Sequence, residues 1–213
     1  MWQHQAYRPR TPIKQSINYK YLGITIHENV TWSDYVNYIS KYKINQRIGM
    51  LKQRVRFFLP KKELTTLYNS IILPLFDYAD VICGDKSNKG LMEDLQILQN
   101  KAGKVTLRMP MGYSAAEALD NLKWSKLHVR RQQHRRIDVY KCMHNLLETE
   151  IELIPNSKIH SHSRGNSNLH LPCVKTEWGK QCFAFHAAKD CNDLNNQIKN
   201  SKDLKTFKKQ LFS

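Results

Sequence analysis

The chain has 213 residues, which fits one large domain or two small ones and is enough to bury a hydrophobic core. Lys and Arg number 34 against 18 acidic residues, and this net charge of +16 favours a polyanionic partner, with nucleic acid as the first candidate. The sequence has no apolar run of about 18 residues and no secretory signal at its polar start, so we expect an intracellular protein that is neither membrane-bound nor secreted. Its five cysteines include no Cys-x-x-Cys pair, and we expect them to be reduced thiols.

The first region, residues 1–30, begins with a polar, proline-containing lead-in that runs through Gln15. Residues 17–26 then carry alternating aromatic and β-branched side chains, which predict a β segment, and a short turn follows at 28–29. Gly23 interrupts this segment. A glycine at this point indicates a close approach of two backbones or, with equal weight, a tight turn or bulge.

Three helices are predicted in the next region. Thr31 stands at an N-cap position, and apolar side chains at helical spacing then run to Phe58, which predicts one long helix. Pro60 ends that helix and opens a second one, in which Pro74 predicts a kink. A polar loop at 84–90 separates the second helix from a third, which ends before Pro110.

The remaining chain is predicted to be helical with one hairpin. Ser114 and Glu117 form a capping box over a short helix, and Ser125 is placed to cap a longer helix that runs to about Glu148. Residues 156–172 are rich in Ser, Asn and His. The last elements that we predict are a β-hairpin pairing 169–174 with 181–185, and two short helices at 186–194 and 204–212.

These elements predict a mainly α fold: a helical bundle with a short N-terminal β segment and a small C-terminal β-hairpin plus helices. The regions that the patterns define are a lead-in with its β segment (1–30), a helical region (31–112), a basic helical region (113–155) and a small α+β region (156–213).

Basic side chains border the apolar stripe of the first long helix. Lys43, Arg47 and Arg54 share a narrow sector on one flank, and Lys52 and Arg56 lie on the other. Such a pattern is common on any solvated helix face. Few acidic residues are interleaved with these cations, however, and that favours contact with phosphates.

The helix predicted from Ser125 has a similar pattern. Arg130, Arg131 and Arg135 lie opposite its apolar stripe and are predicted to face a nucleic acid. Arg136 instead falls among the apolar positions, where a charge needs a partner, so we predict a structural role for it.

Catalytic chemistry is not indicated by the sequence. Two-metal polymerases need converging carboxylates, and the chain has no Asp-Asp pair; residues 77–80 (DYAD) are only superficially similar to a polymerase signature. The spacing of the His and Cys side chains fits no standard zinc pattern, so no metal site is predicted. The candidate ligands by residue type are His160, His162, Cys173, Cys182, His186 and Cys191.

Several short motifs occur in a fixed order along the chain. They are KYLGI at 20–24, VTW at 30–32, LYNSIILPLFDYA at 67–79, LQILQNKA at 95–102, FAFHAAK at 183–189, NDL at 192–194 and FKK at 207–209. Together they resemble the region that follows the palm in the reverse transcriptases of non-LTR retrotransposons, the jockey-like and related LINE-type elements. His27, Cys191 and Asn195 depart from this pattern, which commonly has Asp, Trp and Pro there.

The resemblance implies a thumb-like helical bundle that holds a template–primer duplex, whether RNA, DNA or a hybrid, by its backbone. It also implies that Lys20, Tyr21 and Gly23 belong to a primer-grip-like segment. The fingers and palm, with their catalytic aspartates and Mg²⁺, are expected to be a missing portion of the same polyprotein. We therefore expect a fragment without cofactor or polymerase activity of its own, in or near the nucleus. The alternatives are a stand-alone nucleic-acid-binding protein and an inert remnant.

Overall fold

The structure is a computed structural model that describes residues 16–29, 31–83, 89–110, 112–149, 151, 153–159, 168–180 and 182–212. Within these ranges the protein is mainly α-helical, with a two-stranded antiparallel hairpin near its N-terminus, as the patterns predict. The predicted lead-in, the loop at 84–88, and His160 and His162 lie outside the described residues.

The predicted β segment is a hairpin of two strands, β1 (Asn18–Tyr21) and β2 (Ile24–His27), rather than one strand. Leu22 and Gly23 have φ angles of 48° and 83°, which is the turn geometry that matches the twist of paired strands. A Cβ at Gly23 would meet nothing within 4 Å. Glycine is therefore favoured there by the positive φ of a tight turn and not by a close backbone approach.

Two long helices follow the hairpin, α1 (residues 33–55) and α2 (residues 61–77). Each is continuous and includes π-helical turns, at Ile39–Ile44 and Leu51–Val55 in α1 and at Tyr68–Ile72 in α2. The long first helix is confirmed, although Trp32 and not Thr31 is its N-cap and no side chain caps it. Pro74 lies at the start of the α-helical turn that follows the π-helical turn of α2.

Eight further α-helices follow within the described residues, of which α4 and α6 are long and the other six are short. They are α3 (Asp80–Cys83), α4 (Lys89–Thr106), α5 (Ala115–Leu122), α6 (Leu127–Met143), α7 (Glu177–Lys180), α8 (Phe183–Asn192), α9 (Asn196–Lys199) and α10 (Leu204–Leu211). Ser114 accepts a hydrogen bond from the amide of Glu117, so the predicted cap of α5 is confirmed. The N-cap of α6 is Lys126, without a side-chain cap, and the helix ends at Met143, well before Glu148.

The predicted C-terminal β-hairpin is wrong. Phe183–Asn192 is a helix, and Leu169 forms a single bridge with Pro155 instead of pairing with residues 181–185. The helix is favoured because Ala187 and Ala188 are fully buried on one face, where small side chains let α8 pack closely against α6.

The main hydrophobic core lies between α1, α2 and α4. Its fully buried residues include Ile48 of α1, Leu64 of α2 and Ala102 of α4, and Trp124 stacks on Tyr68 with 3.8 Å between the ring centroids. Two smaller clusters join the second half of α6 to α8 and to α10, through Val139 and Tyr140 respectively. Helix α6 thus connects the core to the C-terminal helices.

Candidate nucleic-acid interface

The exposed surface of α1 is rich in basic side chains and poor in acidic ones. Residues 33–55 contain one acid, Asp34, and five Lys or Arg residues. The opposite face is anchored, because Ile44, Ile48 and Leu51 are completely buried. The core therefore fixes which side of α1 meets the surroundings.

Three of the predicted binding residues of α1 have free charges, with Lys43 and Arg54 on one flank of the buried stripe and Lys52 on the other. Lys43, Lys52 and Arg54 are exposed, and none of them forms an ion pair with a described residue. Cations without an acidic partner are available to phosphate oxygens, whereas cations paired within the fold are not.

Two tyrosines that the sequence analysis missed accompany these cations. Tyr38 and Tyr42 are half-exposed, and their ring centroids are 5.8 Å apart. The Lys43 Nζ atom lies 5.7 Å from the ring centroid of Tyr38. The sequence does contain a signal for this pair. The two tyrosines are four residues apart and outside the apolar stripe, so helical spacing places both rings on one exposed side of the helix.

Arg47 and Arg56 are placed differently from the other predicted cations of α1. Arg47 donates a hydrogen bond of 2.7 Å to the backbone carbonyl of Ile71 and so links α1 to α2. Arg56 lies over the ring of Phe57, 4.7 Å from its centroid, and its buried Nε has no hydrogen-bond partner. Arg47 is therefore a structural residue, and Arg56 is only partly available to a ligand.

The hairpin brings its predicted residues to the surface beside α1. Lys20, Tyr21 and Gly23 are exposed, while Ile24 of β2 packs against the core. The Tyr78 hydroxyl at the end of α2 donates to the Leu22 carbonyl and fixes the turn. Strand β2 contacts the first turns of α1, so the hairpin packs beside the N-terminal part of that helix.

The predicted outward orientation of the α6 arginines is wrong. Arg130 makes two hydrogen bonds, of 2.6 and 2.7 Å, to the carboxylate of Asp77. Arg135 is 4% exposed and pairs with Asp190 at 2.6 Å, and Arg131 is 6% exposed. Elements far away in the sequence cover this side of α6 and supply its counter-charges, so these arginines are not available to a polyanion in this fold.

Arg131 is the least compensated of these arginines. It donates to the Met92 sulfur, its Nε has no hydrogen-bond partner, and burial lowers its pKa. Arg136 donates to the Asp190 backbone carbonyl over 3.0 Å, so the structural role predicted for it is confirmed, although the acceptor is not a carboxylate.

Asp77, Asp80 and His134 form the one group of metal-ligating types that converges among the described residues, with their ligand atoms within 4.8 Å of one another. His134 Nδ1 lies 2.6 Å from Asp80 Oδ2, and both Asp77 oxygens accept bonds from Arg130. Asp80 and His134, but not Asp77, line a cleft of about 380 Å³ whose wall also carries Arg130, Lys141 and Lys208. Because a cation already neutralises Asp77 and two more lie nearby, we interpret the cluster as an ion-pair network that joins α6 to α2 and α3.

Comparison with known proteins finds no matching family model, no matching curated protein and no matching solved structure. Among the described helices, none combines the length and the apolar character that crossing a bilayer requires. The function of the chain must therefore be argued from the geometry of its own surface.

Proposed function

We propose that the protein holds a nucleic-acid duplex by its sugar-phosphate backbone on the outward face of α1, next to the β1–β2 hairpin. The observation that carries the proposal is the set of exposed, unpaired cations on a helix whose orientation is fixed by a buried opposite face: Lys43, Lys52 and Arg54. This is the arrangement that backbone binding requires, since phosphate contacts position a duplex without reading its sequence.

The distribution of counter-charges favours α1 over α6. Three basic side chains of α6 have carboxylate partners on other helices: Arg130 with Asp77 of α2, His134 with Asp80 of α3, and Arg135 with Asp190 of α8. The cations of α1 have no such partners among the described residues. A polyanion therefore gains more Coulombic energy on α1, where it replaces only water and small counterions.

The motifs shared with non-LTR reverse transcriptases support the same proposal. A thumb region that follows the palm would bind a template–primer duplex in a manner independent of sequence, and such a protein would work in or near the nucleus. We propose that this chain corresponds to that region and that it has no polymerase activity of its own. A primer-extension assay with Mg²⁺ is expected to show no template-dependent synthesis.

The test of the interface compares two triple variants with the same change in net charge. Lys43→Ala/Lys52→Ala/Arg54→Ala removes the free cations of α1. Lys202→Ala/Lys205→Ala/Lys209→Ala removes three exposed cations near α10, far along the chain from the proposed interface. Affinity for an RNA–DNA hybrid is measured by fluorescence anisotropy between about 50 and 200 mM salt, where phosphate contacts lose affinity most steeply.

The α1 variant is expected to bind the hybrid more weakly, and its slope of log K against log salt should be shallower by about 2–3, because each lost phosphate contact contributes roughly 0.9 to the slope. The control variant should keep both the affinity and the slope of the unmodified protein. Equal losses in the two variants would mean that only the net charge matters, and the absence of binding by the folded wild-type protein would support an inert remnant.

A further inference from the structure

The turn between α1 and α2 presents two adjacent phenylalanines to solvent. Phe57 is 67% exposed and Phe58 is 84% exposed, the highest value among the large apolar side chains of the described residues. Exposed apolar surface is unfavourable in water, so two neighbouring aromatic rings at one tip indicate a contact with another molecule.

The backbone beneath these rings is well anchored. The amides of Phe58 and Leu59 donate to the Val55 carbonyl over 3.1 and 3.2 Å, and the side chains of Val55 and Leu59 pack against the main core. The Leu59 carbonyl in turn accepts a hydrogen bond of 2.6 Å from Arg108. The rings therefore project from a fixed turn, and a ligand that contacts them does not have to order a loose loop.

Cations surround this tip. Arg54 and Arg56 precede the two rings, and Lys61 and Lys62 follow them after Leu59 and Pro60. The Arg56 guanidinium lies over the ring of Phe57, 4.7 Å from its centroid. The ligand that fits aromatic faces flanked by positive charge is one that offers flat apolar groups on an anionic backbone, and a single-stranded nucleic acid has both.

We propose that Phe57 and Phe58 stack on unpaired nucleobases at the end of the duplex held by α1, so that the protein prefers a junction between double- and single-stranded nucleic acid. This inference rests on the proposed function. Arg54 lies three residues before Phe57 in the last turn of the same helix, so a strand whose phosphates contact Arg54 is close to the two rings. Every base has a π-face, so the contact requires no particular base sequence.

The experiment compares a blunt RNA–DNA hybrid with the same hybrid carrying a short single-stranded overhang. The overhang contains 2-aminopurine at its first unpaired position, whose fluorescence falls when an aromatic ring stacks on it. The variants are Phe57→Ala/Phe58→Ala, which removes the rings, Phe57→Tyr/Phe58→Tyr, which keeps them, and Phe57→Leu/Phe58→Leu, which keeps apolar volume without a π-face. The exposed position of both residues means that none of these variants should disturb the core.

The wild-type protein is expected to bind the overhang substrate more tightly than the blunt one and to quench the 2-aminopurine. The Ala variant should lose about 5- to 150-fold in affinity for each stacked base on the overhang substrate, and nothing on the blunt one. The Tyr variant should behave like the wild type, and the Leu variant like the Ala variant.

Other results would overturn the inference, and they separate it from the proposed function. If wild type and Ala variant bind both hybrids equally well, the duplex interface stands and the stacking tip is rejected. If the wild type binds neither hybrid, both proposals fail. Binding to phosphatidylserine vesicles that is lost in the Ala variant, without any overhang preference, would assign the tip to a lipid surface. A dimer in sedimentation experiments that dissociates in the Ala variant, again without an overhang preference, would assign it to self-association.

Discussion

The guanidinium of Arg135 and the carboxylate of Asp190 lie 2.6 Å apart, with side chains only 4% and 1% exposed. Gln132 donates to the other oxygen of the same carboxylate over 3.1 Å, and Arg136 donates to the backbone carbonyl of Asp190. Asp190 thus satisfies three side chains of α6 from a single position on α8. This acid and the small apolar cluster around Ala187 both attach α8 to α6.

Replacing Asp190 by Asn should destabilise the protein strongly. Asn keeps the shape of the side chain but leaves the Arg135 charge buried without a counter-charge, which typically costs about 3–5 kcal/mol. Urea denaturation followed by circular dichroism measures the loss. Asp120→Asn is the matched control, because Asp120 is exposed on α5, and it should change the free energy of unfolding by no more than about 0.5 kcal/mol.

The double variant Arg135→Met/Asp190→Leu tests whether the unpaired charge of Arg135 causes this loss, because it removes both charges together. Replacement of a buried ion pair by apolar side chains of similar size is often neutral or stabilising. The double variant should therefore be considerably more stable than Asp190→Asn alone. A double variant as unstable as the single one would show that the pair matters for its shape and not for its charge balance.

Arg47 and Lys43, two neighbouring cations of α1, should respond differently to replacement by Met. Arg47→Met keeps the apolar stem but removes the hydrogen bond to the Ile71 carbonyl, and it should cost about 1.5–3 kcal/mol of stability with little effect on duplex binding. Lys43→Met should leave stability within about 0.5 kcal/mol and weaken duplex binding instead. Thermal denaturation and anisotropy titrations on both variants check this, and the reverse pattern would contradict the roles we assign.

The thiols are expected to react in two groups. Cys173 and Cys182 are exposed and should react rapidly with Ellman's reagent at pH 8. Burial raises the pKa of Cys83 to about 12 and also raises the pKa values of Cys142 and Cys191, so these three thiols remain protonated and react slowly. All five should react in denaturant; rapid reaction of Cys83 in the native protein would contradict its burial.

Stability should decline in alkaline solution for a related reason. Burial raises the pKa of Cys83 from its ordinary value of 9.0, and that of Tyr35 from 10.0, to about 12 in each case, and it raises the pKa of Tyr68 as well. Below about pH 9 these groups are protonated in both the folded and the unfolded chain, so they cause no change. Above it the unfolded chain loses protons that the folded one retains, and stability falls by up to about 1.4 kcal/mol per pH unit for each group.

Denaturant titrations at a series of pH values measure this decline. Cys83→Ala should lower the stability at neutral pH because it leaves a small cavity, but its decline between about pH 9 and 10 should be shallower, because only the thiols of Cys142 and Cys191 then contribute there. An equally steep decline between about pH 9 and 10 in Cys83→Ala would show that the buried thiol does not contribute to the pH dependence.

The long helices were largely predictable because each one has an apolar stripe of its own. The stripe through Ile44, Ile48 and Leu51 gives both the existence of α1 and the direction of its buried face, and both are confirmed. The C-terminal hairpin was predicted wrongly because residues 181–185 are a short apolar run, and such a run does not distinguish a strand from the first turn of a buried helix.

The orientation of the α6 arginines could not be predicted from that helix alone. Helical periodicity separates Arg130 and Arg135 from the apolar stripe but does not reveal what covers them. Their partners, Asp77 and Asp190, are more than 50 residues away in the sequence in opposite directions. Only the tertiary arrangement shows that this polar side is an interior one, whereas the equally basic side of α1 is open.

The first residue of α6, Leu127, packs in the main core. Its second half packs in the two small clusters that include α8 and α10. Its middle carries ion pairs in both directions, to α2 and α3 on one side and to α8 on the other. Cleavage of the chain at either end of this helix would leave arginines of α6 on one fragment and their carboxylate partners on the other. We therefore expect the main core and the C-terminal helices to unfold as one cooperative unit.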